Sequence, residues 1–397
     1  MRGTNRIFLL AVLALALGLG LGAREAFAGA SINMPGDAWL TINYEMQLFG
    51  QWRDTGSGPD NDENTTDIYF RRNRLSLRGQ VTKTYGFYYA VEHQGDRLID
   101  DIEVRDDPID RFTVLDAFLL ANWSNAFQMR AGLTKDILVR EHNEGCFFPL
   151  SLDRSLFVYT PLRRVSRDYG VVLWGNLVDD KVQYKLAAMK GIDSSDSPKS
   201  NLRYSARVHL SLLEPENLPL YFGTYLGRKK VLTVGAGYQV EPDAVYSDIG
   251  ARSGASDYQA WTYDIYAEYP TEAGTFTASA AYLETDFDEA YKGGDPDPFA
   301  VGIDGEKNGW YVKAGYLLPK PVGPGQLQFF GRVEQWEFAQ LQSVFDQEID
   351  WWSIGLNYYL KGHDLRLTLE YAVNDFDKES ATVKDFDTVT AMLQFRF

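Results

Sequence analysis

The sequence predicts an all-β fold: a transmembrane antiparallel β-barrel of about 16 strands with long extracellular loops and short periplasmic turns. Three observations predict it. The N-terminus has the layout of an export signal. No later apolar run approaches the roughly 20 residues that a membrane-spanning helix needs. Finally, a period-two alternation of apolar and polar residues recurs in segment after segment along the chain.

Residues 1–28 carry the expected features of a secretory signal peptide. Arg2 and Arg6 are basic, 7–21 is a run of apolar residues and glycines, and the tripeptide Ala-Phe-Ala ends the segment. We expect cleavage directly after that tripeptide, which leaves 29–397 as the mature barrel. A single-pass anchor is the alternative, but the apolar run is short for a span and adjoins the cleavage pattern.

Composition agrees with strands that face lipid on one side only. Aromatic residues make up 14% of the chain, mostly Tyr and Phe, and glycine is abundant. Such a chain is polar on average because only every second strand residue contacts lipid. The single cysteine, Cys146, excludes a disulfide framework, so a closed ladder of backbone hydrogen bonds must stabilise the fold. We expect no cofactor, no metal and no nucleic-acid partner.

The first predicted strand sets the pattern, with Leu40 and Ile42 on one face and Thr41 and Asn43 on the other. The same alternation predicts strands near 40–52, 68–81, 86–94, 113–123, 127–135, 168–178, 181–190, 201–213, 231–240, 259–270, 275–285, 308–318, 326–338, 351–361, 364–374 and 387–397. Residues 220–230 are an alternative extension of the ninth strand.

The predicted connections alternate between long and short. The long ones include 53–67, 95–112, 136–167, 241–258 and 286–307. The short ones include 82–85, 124–126, 271–274 and 362–364. This rhythm is typical of outer-membrane barrels, whose extracellular loops are long and whose periplasmic turns are short. A soluble sandwich, the alternative all-β fold, would not produce it.

With the apolar face of each strand toward lipid, the other face lines the lumen. On the second predicted strand this directs Arg72, Arg74 and Arg78 inward and leaves Arg71 outside, near lipid head groups. Further basic lumen residues are Arg130, Lys185, Arg203 and Arg207. An arginine placed in hydrocarbon would instead cost about 2–4 kcal/mol at the bilayer midplane. The later strands direct acidic residues inward, namely Asp264, Glu268 and Glu370, together with two basic ones, Lys313 and Arg366. The sequence therefore predicts a basic wall that faces a more acidic wall, with an electric field across the lumen between them.

The third long loop, 136–167, differs from the others in composition. It carries apolar residues that would be poorly placed in water, namely Phe147, Phe148, Leu150, Leu152, Leu156, Phe157 and Tyr159. We therefore expect it to fold into the lumen together with its arginines, Arg154, Arg163, Arg164 and Arg167. Two interpretations stay open: the guanidinium groups form an anion-binding constriction, or they pair with carboxylates and fix the loop in place.

Several short stretches carry a family pattern: FRRNRL at 70–75, LDAF at 115–118, RAGLTK at 130–135, DRSL at 153–156, RDYGV at 167–171, MKG at 189–191 and RYSAR at 203–207. With them, residues 68–210 resemble the phosphate-selective porin O/P family; the second half matches only in general barrel character. The resemblance implies a sixteen-stranded homotrimeric porin with arginines and lysines at its constriction. Ser205 separates Arg203 from Arg207 and inward lysines are few, which departs from the phosphate-binding pattern.

Lumen and resemblance together predict an outer-membrane pore for passive diffusion of small hydrophilic solutes, with a preference for anions, phosphate-like ones included. Expected partners are outer-membrane lipid and lipopolysaccharide. Divalent cations would bridge the phosphates of these lipids to carboxylates of the loops. One alternative is a non-selective porin. Another is an insulating sleeve around multihaem cytochromes, which other chains would supply because no Cys-x-x-Cys-His motif is present. A hydrolase built on His209 with Ser205 and Ser211 is a third, although no orienting group or oxyanion donor is evident.

Overall fold

The computed structural model describes residues 29–60, 62–94, 111–161, 166–192, 197–292, 295–379 and 383–397. The expected signal peptide lies outside them. Within these ranges no helix has the length and apolar character needed to cross a bilayer. The strands are β1 (Ala30–Asn33), β2 (Trp39–Ser57), β3 (Glu63–Gln80), β4 (Tyr85–Gln94), β5 (Arg111–Ser124), β6 (Phe127–Lys135), β7 (Arg167–Leu177), β8 (Val182–Met189), β9 (Arg203–Ser211), β10 (Val231–Val245), β11 (Ser256–Thr271), β12 (Gly274–Asp286), β13 (Lys307–Leu317), β14 (Gln326–Leu341), β15 (Val344–Lys361), β16 (Leu365–Phe376) and β17 (Phe386–Arg396).

Strands β2 to β17 form one closed antiparallel barrel. Each pairs with its sequence neighbours, and β17 pairs with β2, with Leu393 opposite Leu48, so no edge is left open. The short β1 adds a hairpin to the beginning of β2. Closure satisfies the backbone hydrogen-bonding groups within the sheet, as a bilayer requires. The predicted sixteen-stranded barrel is confirmed.

The two faces of the barrel differ as the alternation predicts. Apolar side chains such as Leu119 and Val333 are exposed on the outer face, by 65% and 47%. Polar side chains such as Gln47, Gln239 and Thr262 point inward and are fully buried. A surface of this kind matches the lipid-facing band of a transmembrane barrel, with the polar residues turned to the lumen.

Several strands are longer than the roughly ten residues that cross the hydrocarbon. β2 has 19 residues and β15 has 18. The additions lie mainly at the strand ends next to the long connections, where β3 begins with polar residues such as Glu63 and Asp67. Above the hydrocarbon both faces meet water, so the alternation fades and the sequence pattern underestimates strand length.

Arg71 corrects one predicted orientation. Gln47 pairs with Arg72 and Leu48 with Phe70, so Arg71 is the extra residue of a β-bulge. A bulge shifts the side-chain alternation by one position. Arg71 therefore points inward, where its Nε donates a hydrogen bond to Asp153 Oδ2 at 2.7 Å, instead of reaching lipid head groups.

The predicted alternation of connection lengths has two exceptions. Gln342 and Ser343 alone connect β14 to β15 on the long-loop side. On the short-turn side, residues 212–230 separate β9 from β10. The alternative in which 220–230 extend the ninth predicted strand, β10 in the structure, is therefore wrong. We call 212–230 the turn segment and the connection 136–166, between β6 and β7, the third loop.

We expect the long connections to be extracellular and both termini periplasmic. An Asp60→Cys variant, with its probe site in the exposed β2–β3 connection, should react with an impermeant maleimide added to intact cells. A Lys83→Cys variant in the exposed β3–β4 turn should react only after permeabilisation. Native Cys146 is buried and gives little background. The opposite labelling pattern would overturn the topology.

Candidate functional site: the barrel lumen

The third loop lies inside the barrel and crosses to the far wall. It contains a one-turn helix, Arg140–Asn143, and a 3-10 turn, Leu156–Val158. The Leu150 carbonyl accepts a hydrogen bond from Asn357 Nδ2 on β15 at 2.7 Å. The Leu152 amide donates to Glu370 on β16 at 3.2 Å. The loop therefore connects two opposite parts of the lumen wall.

Apolar contacts hold the loop against that wall. The Phe157 ring lies 4.9 Å from both the Tyr311 and Trp336 rings, in edge-to-face geometry. Phe147 and Leu156 are buried as well. Each such side chain contributes about 1.5–3 kcal/mol when fully buried, which offsets the conformational entropy of ordering a long loop.

The turn segment also enters the lumen, from the end of the barrel that carries the short turns. Its base continues the β9–β10 hairpin, since the Glu214 amide donates to the Lys230 carbonyl at 3.0 Å. Beyond this base the chain turns inward, and Tyr221 and Thr224 are fully buried. Where the segment turns back toward β10, the Glu268 carboxylate on β11 holds it by accepting a hydrogen bond of 2.7 Å from the Tyr225 amide.

Sequence reasoning missed this second insertion. The turn segment contains Tyr221, Phe222 and Tyr225 within a few residues, an aromatic content similar to that of the third loop. That composition is the pattern that would have predicted an inward-folded segment. The apparent β-alternation of 220–230 favoured a strand extension instead.

Most basic residues of the lumen are paired with carboxylates. Arg203 contacts Glu241 at 2.7 Å, and Arg207 contacts Asp264 at 2.7 Å. Other pairs are Arg71 and Arg72 with Asp153, Arg74 with Glu92, Arg140 with Glu216, Arg167 with Asp116, Lys313 with Glu141, and Arg332 with Glu334. Basic and acidic groups are thus interleaved. The two opposed walls predicted from the sequence, and their transverse field, are wrong, because each half of the barrel holds both charges: Glu92 and Asp116 pair with arginines in the half predicted to be basic, and Arg332 pairs with Glu334 in the half predicted to be acidic.

The buried charge of the described residues is balanced. Fifteen basic and fifteen acidic side chains are buried, whereas the whole chain carries a net charge of −16. The acidic excess therefore lies outside the buried set. Selectivity then depends on which buried charges lack a partner, because paired charges largely cancel at a distance.

Several buried cations have no carboxylate partner among the described residues, namely Arg130, Lys135, Arg154, Lys185 and Arg366. Lys135 donates to the Glu144 carbonyl at 2.7 Å. Arg130 has neither Nε nor Nη2 hydrogen-bonded. Lys185 donates to two neutral oxygens, Asn143 Oδ1 at 2.7 Å and the Pro219 carbonyl at 3.1 Å. Arg366 donates to the Pro149 carbonyl and to the Gln394 side chain.

The remaining predicted site residues have different environments. Arg154 on the third loop is buried and donates to the Glu141 carbonyl at 3.4 Å. Arg78 is exposed near the periplasmic mouth, with its guanidinium carbon 5.8 Å from the Trp39 ring centre. Arg163 and Arg164 lie outside the described residues.

Two buried acid groups without a cation partner, Glu268 and Asp168, accept hydrogen bonds from neutral donors. Glu268 accepts from the Thr224 hydroxyl at 2.9 Å and from the amides of Tyr225 and Gly227. Asp168 accepts from the amides of Tyr169 and Gly191 at 2.7 Å. Hydrogen bonds from backbone and hydroxyl groups disperse the charge of both carboxylates.

Glu216 is the charged residue that the turn segment brings into the lumen. Burial alone would raise the pKa of its carboxyl group, but the Arg140 guanidinium outweighs burial and lowers that pKa to about 2. Two hydrogen bonds of 2.8 Å join the pair. Glu216 is therefore ionised throughout the neutral range.

The arrangement needed for a Ser–His hydrolase is not assembled around His209. The Ser205 hydroxyl accepts from Gln239 at 2.6 Å, and the Ser211 hydroxyl accepts from the Glu216 amide. The His209 ring stacks on Tyr221 at 4.8 Å and faces Glu216 at 3.3 Å. These contacts give His209 a packing role.

Closure, inside-out polarity and inward-folded connections define the fold: a closed sixteen-stranded antiparallel barrel with an apolar outer face. The family model described as Gram-negative porin matches residues 185–379. An uncharacterized protein of Aquifex aeolicus is 26% identical over 357 residues, which cover 84% of this chain and 81% of that protein.

Solved outer-membrane porins share the fold at low sequence identity. The anion-selective porin of Comamonas acidovorans has a TM-score of 0.57 at 11% identity, covering 91% of this chain and all of that chain. Pseudomonas putida OprB has a TM-score of 0.60 at 9% identity, covering 90% of this chain and 94% of that one. The outer membrane channel DcaP of Acinetobacter baumannii has a TM-score of 0.55 at 15% identity, covering 94% and 100%.

Proposed function

We propose that this protein is an outer-membrane porin that admits small hydrophilic solutes by passive diffusion and prefers anions. The barrel class, its lipid-type outer surface and the Gram-negative porin match support the location and the transport role. The anion preference rests on one observation: Arg130, a buried guanidinium of the lumen wall, has no carboxylate partner among the described residues, and its Nε and Nη2 make no hydrogen bond.

Arg130 and Lys185 are the residues we assign to anion contact. They lie on β6 and β8, separated by one strand, and both point inward. A guanidinium with free N–H groups binds oxyanions through paired hydrogen bonds, and an ammonium adds a point charge. This chemistry suits phosphate-like anions, as the resemblance to the phosphate-selective family implies. Arg163 and Arg164 extend the same proposal to the third loop.

We also propose the homotrimer that the family resemblance implies, with contacts to lipid and lipopolysaccharide. The cytochrome-sleeve alternative is disfavoured because the third loop and the turn segment occupy the middle of the lumen. A non-selective porin differs from our proposal only in selectivity, so an ion-selectivity measurement separates the two.

Replacing the unpaired cations should reduce the anion preference. The double variant Arg130→Gln/Lys185→Gln removes two positive charges from the lumen, and no buried carboxylate loses an ion-pair partner. The reversal potential in a salt gradient should therefore shift toward cation selectivity. Lys83→Gln, which removes an exposed charge from a periplasmic turn, is the matched control and should not shift it. An unchanged reversal potential in the double variant would refute the assignment of these residues.

A further inference from the structure

The third loop and the turn segment, which enter from opposite ends of the barrel, are bonded to each other in the lumen. The Tyr221 amide donates to the Asn143 carbonyl at 2.9 Å, and the Gly145 amide donates to the Tyr221 carbonyl at 3.2 Å. A third bond, from the Gly223 amide to the Phe148 carbonyl, measures 3.0 Å. The two insertions therefore share a short stretch of backbone pairing.

Side chains reinforce this contact between the third loop and the turn segment, which we call the joint. The Phe148 and Phe222 rings lie 4.4 Å apart. Arg140 of the third loop is paired with Glu216 of the turn segment. Together these contacts join the two insertions by apolar packing and by charge.

The joint covers basic groups of the lumen. Tyr221 lies under Lys185, whose Nζ is 4.3 Å from the ring centre, and under Arg140, whose guanidinium carbon is 4.8 Å from it. Its hydroxyl donates to Gln183 on β8 at 2.7 Å. An aromatic ring thus occupies the position at which a solute would meet Lys185.

Each half of the joint is attached to a different part of the wall. The third loop continues from β6 and β7, and the turn segment continues from β9 and β10. The joint itself contains no covalent link and only three backbone hydrogen bonds between described residues. The halves can consequently separate while the sheet stays closed, because the barrel ladder does not depend on them.

We propose that the third loop and the turn segment form a two-part plug, and that solute passage requires the Phe148–Phe222 contact to open. This inference rests on the proposed porin function. It assigns the turn segment a gating role from the periplasmic side, with Tyr221 covering the basic site in the closed state. Displacement of the segment uncovers Lys185 and widens the path beside Arg130.

A reversible cross-link tests the plug directly. In a Cys146→Ser background, Phe148→Cys and Phe222→Cys together should form a disulfide under oxidation, verified by thiol titration. Ion flux through the oxidised protein in planar bilayers should be several-fold lower than through the reduced protein, and reductant should restore it. Each single-cysteine variant in the same background is the control and should respond to neither treatment.

Three results of this experiment would separate a failure of the plug proposal from a failure of the porin function. Equal flux in the oxidised and reduced double variant, with the disulfide present, would show that solute passage does not require the contact to open and would overturn the plug. Failure of the disulfide to form in a folded barrel would overturn it too, because the contact itself would be absent. Absence of flux in wild-type, reduced and loop-deleted protein alike would overturn the porin function on which it rests.

A milder variant keeps the inference testable if the cysteine pair does not fold. Glu216→Gln retains the shape of the side chain but removes its charge, which weakens the link to Arg140. We expect a several-fold higher open probability than in wild type. An unaltered open probability would contradict the role of this ion pair in holding the plug closed.

Discussion

Deletion of residues 145–160 should raise the single-channel conductance, while the barrel still assembles. The loop fills the lumen through buried residues such as Leu152 and Phe157, and its removal replaces them with water. Strand pairing is unaffected, because β6 pairs with β7 and β5 independently of the loop. The gain in conductance should be larger when 217–224 of the turn segment are deleted as well, because Tyr221 and Thr224 also fill the lumen.

The control for this deletion is a shortening of another long connection. Residues 249–252 form the exposed tip between β10 and β11 and contribute no described contact to the third loop. Their removal should leave conductance unchanged. If deletion of 145–160 also leaves it unchanged, the loop does not narrow the pore and the proposed constriction is wrong.

Loss of a single lumen arginine should strongly destabilise the barrel. In Arg203→Gln the Glu241 carboxylate stays buried without its cation, since both side chains are almost inaccessible to solvent. Removing one partner of a buried ion pair costs about 3–5 kcal/mol. The double variant Arg203→Gln/Glu241→Gln should recover much of that loss, because two neutral amides can hydrogen-bond to each other.

Urea unfolding followed by heat-modifiable gel migration measures both variants. Arg78→Gln is the matched control: it removes an arginine that is exposed near the periplasmic mouth, and its midpoint should equal that of wild type. If Arg203→Gln is as stable as Arg78→Gln, the pairing of Arg203 with Glu241 does not stabilise the barrel and the interleaved charges need another explanation.

The sequence was sufficient to predict the barrel because each strand repeats one simple rule. A residue such as Leu119 faces lipid and a residue such as Gln239 faces the lumen, and hydrocarbon penalises any other order. The same rule failed at Arg71, since alternation cannot reveal where a bulge inserts an extra residue. Bulges depend on local backbone geometry, which leaves little trace in hydrophobic periodicity.

The partners of the lumen residues were less accessible to sequence reasoning. That Arg203 and Arg207 point inward follows from their strand, but their carboxylates, Glu241 and Asp264, come from neighbouring or next-neighbouring strands. Such partnerships depend on register and side-chain reach, which the strand pattern does not specify. The turn segment was missed for a similar reason, because its burial depends on the third loop that receives it.

The most direct test of the central claim is the reversal potential of the wild-type protein in a planar bilayer across a salt gradient. A pore with Arg130 and Lys185 unpaired in its lumen wall should conduct, and its reversal potential should have the sign of an anion-preferring channel. Phosphate added to one side should reduce chloride current by competing for the same groups. A cation-preferring or zero reversal potential would contradict the anion preference, and the absence of current would contradict the porin function itself.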